Sequence, residues 1–173
     1  HSSFMLEVPD NWAMQQCYNI PLEEFMSVME NAIMNNYSFA WGADVSEKGF
    51  SFRDGLAIVP ADESTIKQRG RDNKHFSDAG AEKIANCFDE PVEEKVITQE
   101  MRQIGYDSQT TTDDHGMHIT GLVKDQNGTK YFIVKNSWGA DRNECDGYFY
   151  ASFPYVKYKT MNIMIHKDAI PKD

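Results

Sequence analysis

Asn127-Gly128 sits between two mostly apolar runs, 116–123 and 129–135, rich in β-branched and aromatic residues. An Asn-Gly pair in that setting is the strongest short-range signal for a β-hairpin, because both residues tolerate the left-handed backbone of a two-residue turn. Such a turn fixes the register. Gln126 faces Thr129, and the numbers of facing residues sum to 255, which sets Asn136 opposite Ile119. Residues 115, 117 and 119 share one face by the period of two, so His115 and Asn136 point to the same side of the sheet. Their offset of four residues is about 13 Å along an ideal strand, and a longer loop or a bulge shortens it. His118 points to the other face.

Around this hairpin the chain reads as helix, strands, helix and strands again. Residues 1–20 form an extended opening segment, broken at Pro9-Asp10-Asn11. Pro21 suits a first helical turn, and Leu22, Phe25, Met26, Met29 and Ile33 make one apolar stripe. That spacing predicts a core-packed helix ending near Asn35-Asn36. Short strands are expected at 37–41, 50–53 and 56–59, a second helix at 92–104 closed by Gly105, and further strands at 148–153 and 161–166. Residues 61–90 read as an irregular surface excursion with a helical turn near 79–87. This order predicts an α+β fold over residues 1–173, built on an antiparallel, partly closed half-barrel sheet with flanking helices.

Charge narrows the partners. Seventeen Lys and Arg against 27 Asp and Glu leave a net charge of -10, a surface that repels phosphate backbones, so no nucleic acid partner is expected. Lys67, Arg69, Arg71 and Lys74 are interleaved with acids and read as a solvated loop. No run approaches the length of a membrane span, and no membrane partner is expected. His1-Ser2-Ser3-Phe4 lacks the basic start and apolar core of a secretory signal, while an exported form made from a longer precursor stays open. Cys17, Cys87 and Cys145 are widely spaced and form no CxxC pair, which speaks against a zinc ribbon, a redox motif or a disulfide framework. His115 and His118 form an HxxH, but on a strand these positions project oppositely, so neither a metal nor another cofactor is expected.

A His and an Asn on one face suit a different task. The Asn oxygen can accept one imidazole N–H and fix the tautomer, which frees the other nitrogen to take a proton from a thiol. Asp113-Asp114, just before His115, read either as carboxylates that raise its pKa or as solvated loop charges.

Asp114-His115-Gly116-Met117, followed by Lys135-Asn136-Ser137-Trp138-Gly139, resembles the histidine and asparagine blocks of papain-like cysteine peptidases. Tyr18-Asn19-Ile20-Pro21-Leu22, Ala40-Trp41-Gly42, Val45-Ser46-Glu47-Lys48-Gly49-Phe50 and Asp146-Gly147-Tyr148-Phe149 resemble the C-terminal half of the bleomycin hydrolase/aminopeptidase C branch. The resemblance implies a peptide substrate, His115 as general base and then acid, Asn136 as its orienter, and Trp138 as a shield over their hydrogen bond. It also implies a nucleophile in a Gln…Cys-Trp block at the start of a long helix, and no such block is present here. Cys17 precedes Tyr18, Cys87 lies in Ala85-Asn86-Cys87-Phe88, and Cys145 sits in a charged loop; each reads as a structural or incidental thiol. The oxyanion Gln is missing as well.

By resemblance, then, residues 1–173 are the base-and-orienter part of an enzyme. The Cys-bearing N-terminal half is the expected partner, docking on an exposed apolar surface, and the chain alone is expected to be inactive. A non-catalytic papain-like module that binds peptides or a partner chain is the competing reading, and a processed two-chain enzyme a third. The branch implies aminopeptidase action, a homo-hexamer and a cytoplasmic location. Residues 167–173, which follow the last predicted strand, are shorter than the branch's usual tail, and this leaves exo- versus endopeptidase action and the hexamer open.

Overall fold

The structure is a computed structural model that describes residues 2–8, 11–66 and 86–171. The basic cluster at 67–74 and most of the expected turn at 79–87 lie outside the described residues. Nine strands and three α-helices occur among those described: β1 (Ser2–Met5), β2 (Gln16–Asn19), α1 (Leu22–Met34), β3 (Phe39–Ala43), β4 (Phe50–Ser51), β5 (Leu56–Ala57), α2 (Gln99–Asp107), β6 (His115–Lys124), β7 (Lys130–Lys135), β8 (Tyr148–Ser152), α3 (Phe153–Lys159) and β9 (Thr160–Met164).

The fold is α+β, with a curled half-barrel sheet as expected. Its seven strands run in the order β4-β5-β8-β7-β6-β3-β9. The β5–β8 pair is parallel, so the sheet is mixed rather than wholly antiparallel. The opening segment is extended but folds back on itself, β1 pairing antiparallel with β2 in a separate two-stranded sheet.

β6 and β7 form the predicted hairpin, with two departures from the predicted register. Lys124 faces Lys130, and facing numbers sum to 254 near the turn. Gly128 at φ 87° and the hydrogen bond from Asp125 N to Thr129 O show a three-residue loop in place of a two-residue turn. Asp125 explains it: its Oδ1 accepts from Asn127 N and Thr129 N, both at 2.8 Å, an Asx cap that holds the wider loop. A bulge then falls between Ile119 and Gly121, beyond which Ile119 faces Val134 and His118 faces Lys135. Two shifts of one residue restore the original parity. Met117 and Ile119 are buried with Phe132 and Val134, and Asn136 comes next on that face.

The core follows from the stripes. α1 buries Leu22, Met26, Met29 and Ala32. Met26, Met29 and Ala32 join Phe39, Trp41, Ile119, Phe132, Val134 and Phe149 in one core. The expected helix at 92–104 begins later, at Gln99, and Gly105 lies inside it. Residues 93–95 are held extended by Ala61 N to Glu93 O and Lys95 N to Val59 O, while the Glu94 carboxylate accepts from Val59 N and Ser152 Oγ. Thr98 Oγ1 then caps Met101 N. Sequence reading missed α3, which Ser152 caps through Tyr155 N, with Pro154 in its first turn.

Arg102 ties α2 to α3, donating to the carbonyls of Lys157 at 2.8 Å, Tyr158 at 3.1 Å and Thr160 at 2.8 Å. These are groups left open at the end of α3. Arg102→Met is expected to lower the free energy of urea unfolding by about 3 kcal/mol, the scale of several charge-assisted hydrogen bonds lost from a partly buried site. A change under about 0.5 kcal/mol, within the range of an ordinary surface substitution, excludes this bracing role.

Candidate active site

His115 stands at the first position of β6, where the backbone pairs with Ala43 of β3. Asn136 follows the last residue of β7, its N–H bonded to Gly147 O at 3.1 Å. Lys135 faces His118, so Asn136 falls at the position opposite Met117, two residues from His115 rather than four. His115 Nε2 lies 2.8 Å from Asn136 Oδ1. Ser137 N also donates to that oxygen, at 2.7 Å. An atom that receives a backbone N–H is the carbonyl oxygen, so Nε2 must carry a proton, and in the neutral ring Nδ1 is then the nitrogen with the lone pair. Asn136 is 5% exposed, and its Nδ2 has no hydrogen-bond partner among the described residues.

Trp138 completes the group. Its indole stacks on the imidazole with centroids 4.9 Å apart at 27°, and it meets Phe52 and Phe50 edge-on at 5.1 and 5.8 Å. The ring therefore lies over the His–Asn pair, though Trp138 itself remains 39% exposed. His118 is exposed, while Met117 and Ile119 on either side of it are buried, which puts it on the other face as expected.

Asn143, absent from the sequence reading, shapes the return loop. Its Nδ2 donates to Phe52 O and Tyr148 O at 3.0 and 2.7 Å, and its Oδ1 accepts from Cys145 N and Gly147 N at 3.2 and 3.0 Å. The signal for it was the turn-forming run Asn143-Glu144-Cys145-Asp146-Gly147.

The thiols sit elsewhere. Cys17 is exposed on β2, and its Sγ donates to Phe4 O at 3.3 Å. Cys87 is buried beside Ile58 and Phe88, and burial pushes its thiol up to about 11. Burial also raises Cys145. For Cys87 and Cys145 the shift favours the thiol over the nucleophilic thiolate.

A second polar group, of which the sequence had singled out only Asp114, lies behind the start of β6. Asp44, 1% exposed, accepts from Ser46 N and Ser46 Oγ at 2.9 and 2.8 Å and from Thr112 N at 3.2 Å. Asp114 accepts from Ser46 N at 3.1 Å and Thr112 Oγ1 at 2.5 Å. The two carboxyl groups share Ser46 N as a donor. Lys159 Nζ, on a residue 4% exposed, pairs with Glu47 and lies 3.9 Å from Asp44 Oδ2. It also donates to Thr111 Oγ1 at 3.0 Å. Burial, with Asp114 adding to it, pushes Asp44 up to about 6. Burial acts upward on Asp114 too, but hydrogen bonds from Thr112, Asp44 and Ser46 outweigh it and bring that carboxyl down to about 2.

The signs give a pH profile. Asp44, raised on folding, contributes stability that is full below the ordinary carboxylate value of about 4 and is lost as pH rises. That loss is complete once pH passes about 6. Asp114, lowered on folding, contributes stability above about 4. That contribution is lost as pH falls through about 2. Thermal unfolding is therefore expected to show a midpoint that declines from pH 4 to pH 7, and Asp114→Asn to shift that decline to lower pH. A decline identical in Asp114→Asn excludes the pair as its source.

Comparisons with known proteins bear on the family and on the fold. The sequence profile of the Peptidase C1-like family matches residues 80–173. The crystal structure of PepW from Lactobacillus rhamnosis HN001 is similar in fold, with a TM-score of 0.58 at 19% identity over 91% of this chain and 29% of that one. The Amb a 11 cysteine protease of ragweed pollen, in its proform, aligns at 18% identity over 84% of this chain and 30% of its own, with a TM-score of 0.37. The SERA5 proenzyme of Plasmodium falciparum aligns at 14% identity over 84% and 28%, also with a TM-score of 0.37. The chain thus spans less than a third of each of these structures. No curated protein matches it.

Proposed function

The chain belongs to the Peptidase C1-like family, in its aminopeptidase C/bleomycin hydrolase branch, and from that premise we propose that it supplies the base and the orienting residue of a Cys-His-Asn peptidase whose thiol lies on another part of a longer protein. The observation that carries this reading is the 2.8 Å contact between His115 Nε2 and Asn136 Oδ1, with Trp138 stacked above it. That contact commits Nε2 as a donor and leaves Nδ1 as the atom that takes the thiol proton.

The steps follow from this tautomer. A thiol brought to Nδ1 loses its proton to it, and the thiolate attacks the peptide carbonyl carbon. The imidazolium that forms keeps its Nε2–H bond to Asn136. It then returns the Nδ1 proton to the departing amine, and Nδ1 next takes a proton from the water that hydrolyses the thioester. Asn136 is neutral and cannot compensate the imidazolium charge, so the thiolate itself is its counterion, an ion pair that suits a thiol better than a hydroxyl nucleophile.

A nucleophile outside this chain is supported by the shift of Cys87 and Cys145 toward the thiol and by the position of Cys17 on the separate β1–β2 sheet. Trp12, Met14 and Tyr18, all more than 70% exposed on or beside that hairpin, support a docking surface for the missing part.

The isolated chain is expected to leave aminoacyl fluorogenic substrates intact. Adding the Cys-bearing part of the longer protein restores hydrolysis, and His115→Ala in the mixture lowers it by about 10² to 10⁴-fold, the usual worth of general acid–base catalysis. Hydrolysis by the chain alone, lost on Cys17→Ala, Cys87→Ala or Cys145→Ala, overturns this assignment of the nucleophile. A mixture that binds peptide and cuts nothing, with both parts folded, favours the non-catalytic module.

A further inference from the structure

The ring of His115 is held from two sides in unequal ways. On one side its backbone pairs with Ala43, and its Nε2 meets Asn136. On the other, residues 112–114 form a loop that no strand carries. What fastens this loop is Asp44, the first residue after β3. Its carboxyl group accepts from Thr112 N, two residues before Asp114, and shares Ser46 N with the Asp114 carboxylate.

We propose that Asp44 is a positioning residue for His115, holding the start of β6 so that the imidazole keeps its tautomer and its distance to Asn136. The proposal rests on the reading of His115 as the base. A shift of half an ångström in a supporting segment is enough to degrade such a site, so the brace matters for function and not only for stability.

The groups facing Asp44 decide how the brace responds to pH. Asp114 comes from the loop before β6, and Glu47 from the segment after β3. Lys159 comes from α3, as does Tyr155, whose hydroxyl donates to the Asp44 carbonyl at 2.8 Å. Asp113 is held by Asn162 of β9 at 3.3 Å. Around Asp44 there is one ammonium for three carboxyl groups, so a proton shared between Asp44 and Asp114 relieves the excess. With it the two acids are joined by a hydrogen bond. Without it, two carboxylates repel each other across the loop that leads to His115. The brace is tightest on the acid side of neutrality and slackens as that proton leaves.

The test reads the ring directly, in the 173-residue chain labelled with ¹⁵N and ¹³C, without turnover. Wild-type His115 is expected to show the Nε2–H tautomer with a slowly exchanging proton. In Asp44→Ala that proton exchanges about tenfold faster, the scale of one hydrogen bond lost from a local opening equilibrium, while the His118 and His166 rings are unmoved. Asp44→Asn, which keeps one acceptor, falls between the two. An exchange rate in Asp44→Ala within about twofold of wild type overturns the proposal. A second measurement does not depend on the alanine variant folding. In wild type, the His115 ring signals should shift at the pH where the Asp44 carboxyl carbon titrates, and Asp114→Asn should move both inflections together to lower pH. Ring signals indifferent to that titration overturn the proposal. Because neither measurement requires hydrolysis, failed complementation counts against the proposed function alone.

Discussion

For His115 Nε2 to meet Asn136 Oδ1 at 2.8 Å, residues 21 apart in sequence must lie on one face of one sheet and almost opposite each other. That requirement explains features of the hairpin that otherwise look like irregularities. The three-residue loop held by Asp125 moves the register by one, and the bulge before Gly121 moves it by one again. Either shift alone would turn Asn136 away from His115, since a slip of one residue exchanges the two faces of a strand. Together they keep the face and halve the offset. The core depends on the same parity, because Met117, Ile119, Phe132 and Val134 are buried on the side where the dyad stands.

The electrostatic design separates two tasks. At the ring, the orienting group is a neutral amide covered by an indole, so the hydrogen bond fixes geometry without adding charge. Charge is concentrated instead behind the strand, where Asp44, Asp114, Glu47 and Lys159 meet. Charges buried in such an arrangement contribute little net stability after desolvation, while removing one partner is strongly destabilising. Here that arrangement joins the end of β3 to the start of β6, the two segments between which His115 is hung.

How much of this was legible in the sequence depended on the range of the signal. The α1 stripe and the hairpin strands come from local periodicity, and the structure has both; the same-face relation of His115 and Asn136 rested on a two-residue turn and holds only because the loop and the bulge shift the register by one each. What escaped had a non-local cause. The stretch 92–98 carries helical spacing, yet the Glu94 carboxylate and the backbone of 93–95 bind residues 59–61 and Ser152, and the chain stays extended. α3 is a seven-residue helix squeezed between two strands, with its start marked only by Ser152 and Pro154. Asp44 and Lys159 carried no signal, because nothing nearby in sequence says that 115 residues of chain bring them to 3.9 Å and bury both.

The dyad and its supports come from β3, β6, β7 and α3, all packed on one core. No step in forming the Nε2–H tautomer, in stacking Trp138 or in bracing the start of β6 calls on a thiol. In the proposed function, the base is therefore preorganised by the sheet before a nucleophile arrives, and the nucleophile has to match one fixed lone pair, on Nδ1. On that proposal the precision of the site lies in strands, where side-chain direction is dictated by the pleat, and a thiol-bearing part would supply position alone. It also explains why a rigid Asn serves as orienter. Its oxygen is held by Ser137 N from the same turn, so the acceptor is in place whether or not the ring is charged. In the proposed cycle neither partner would then need to change its rotamer.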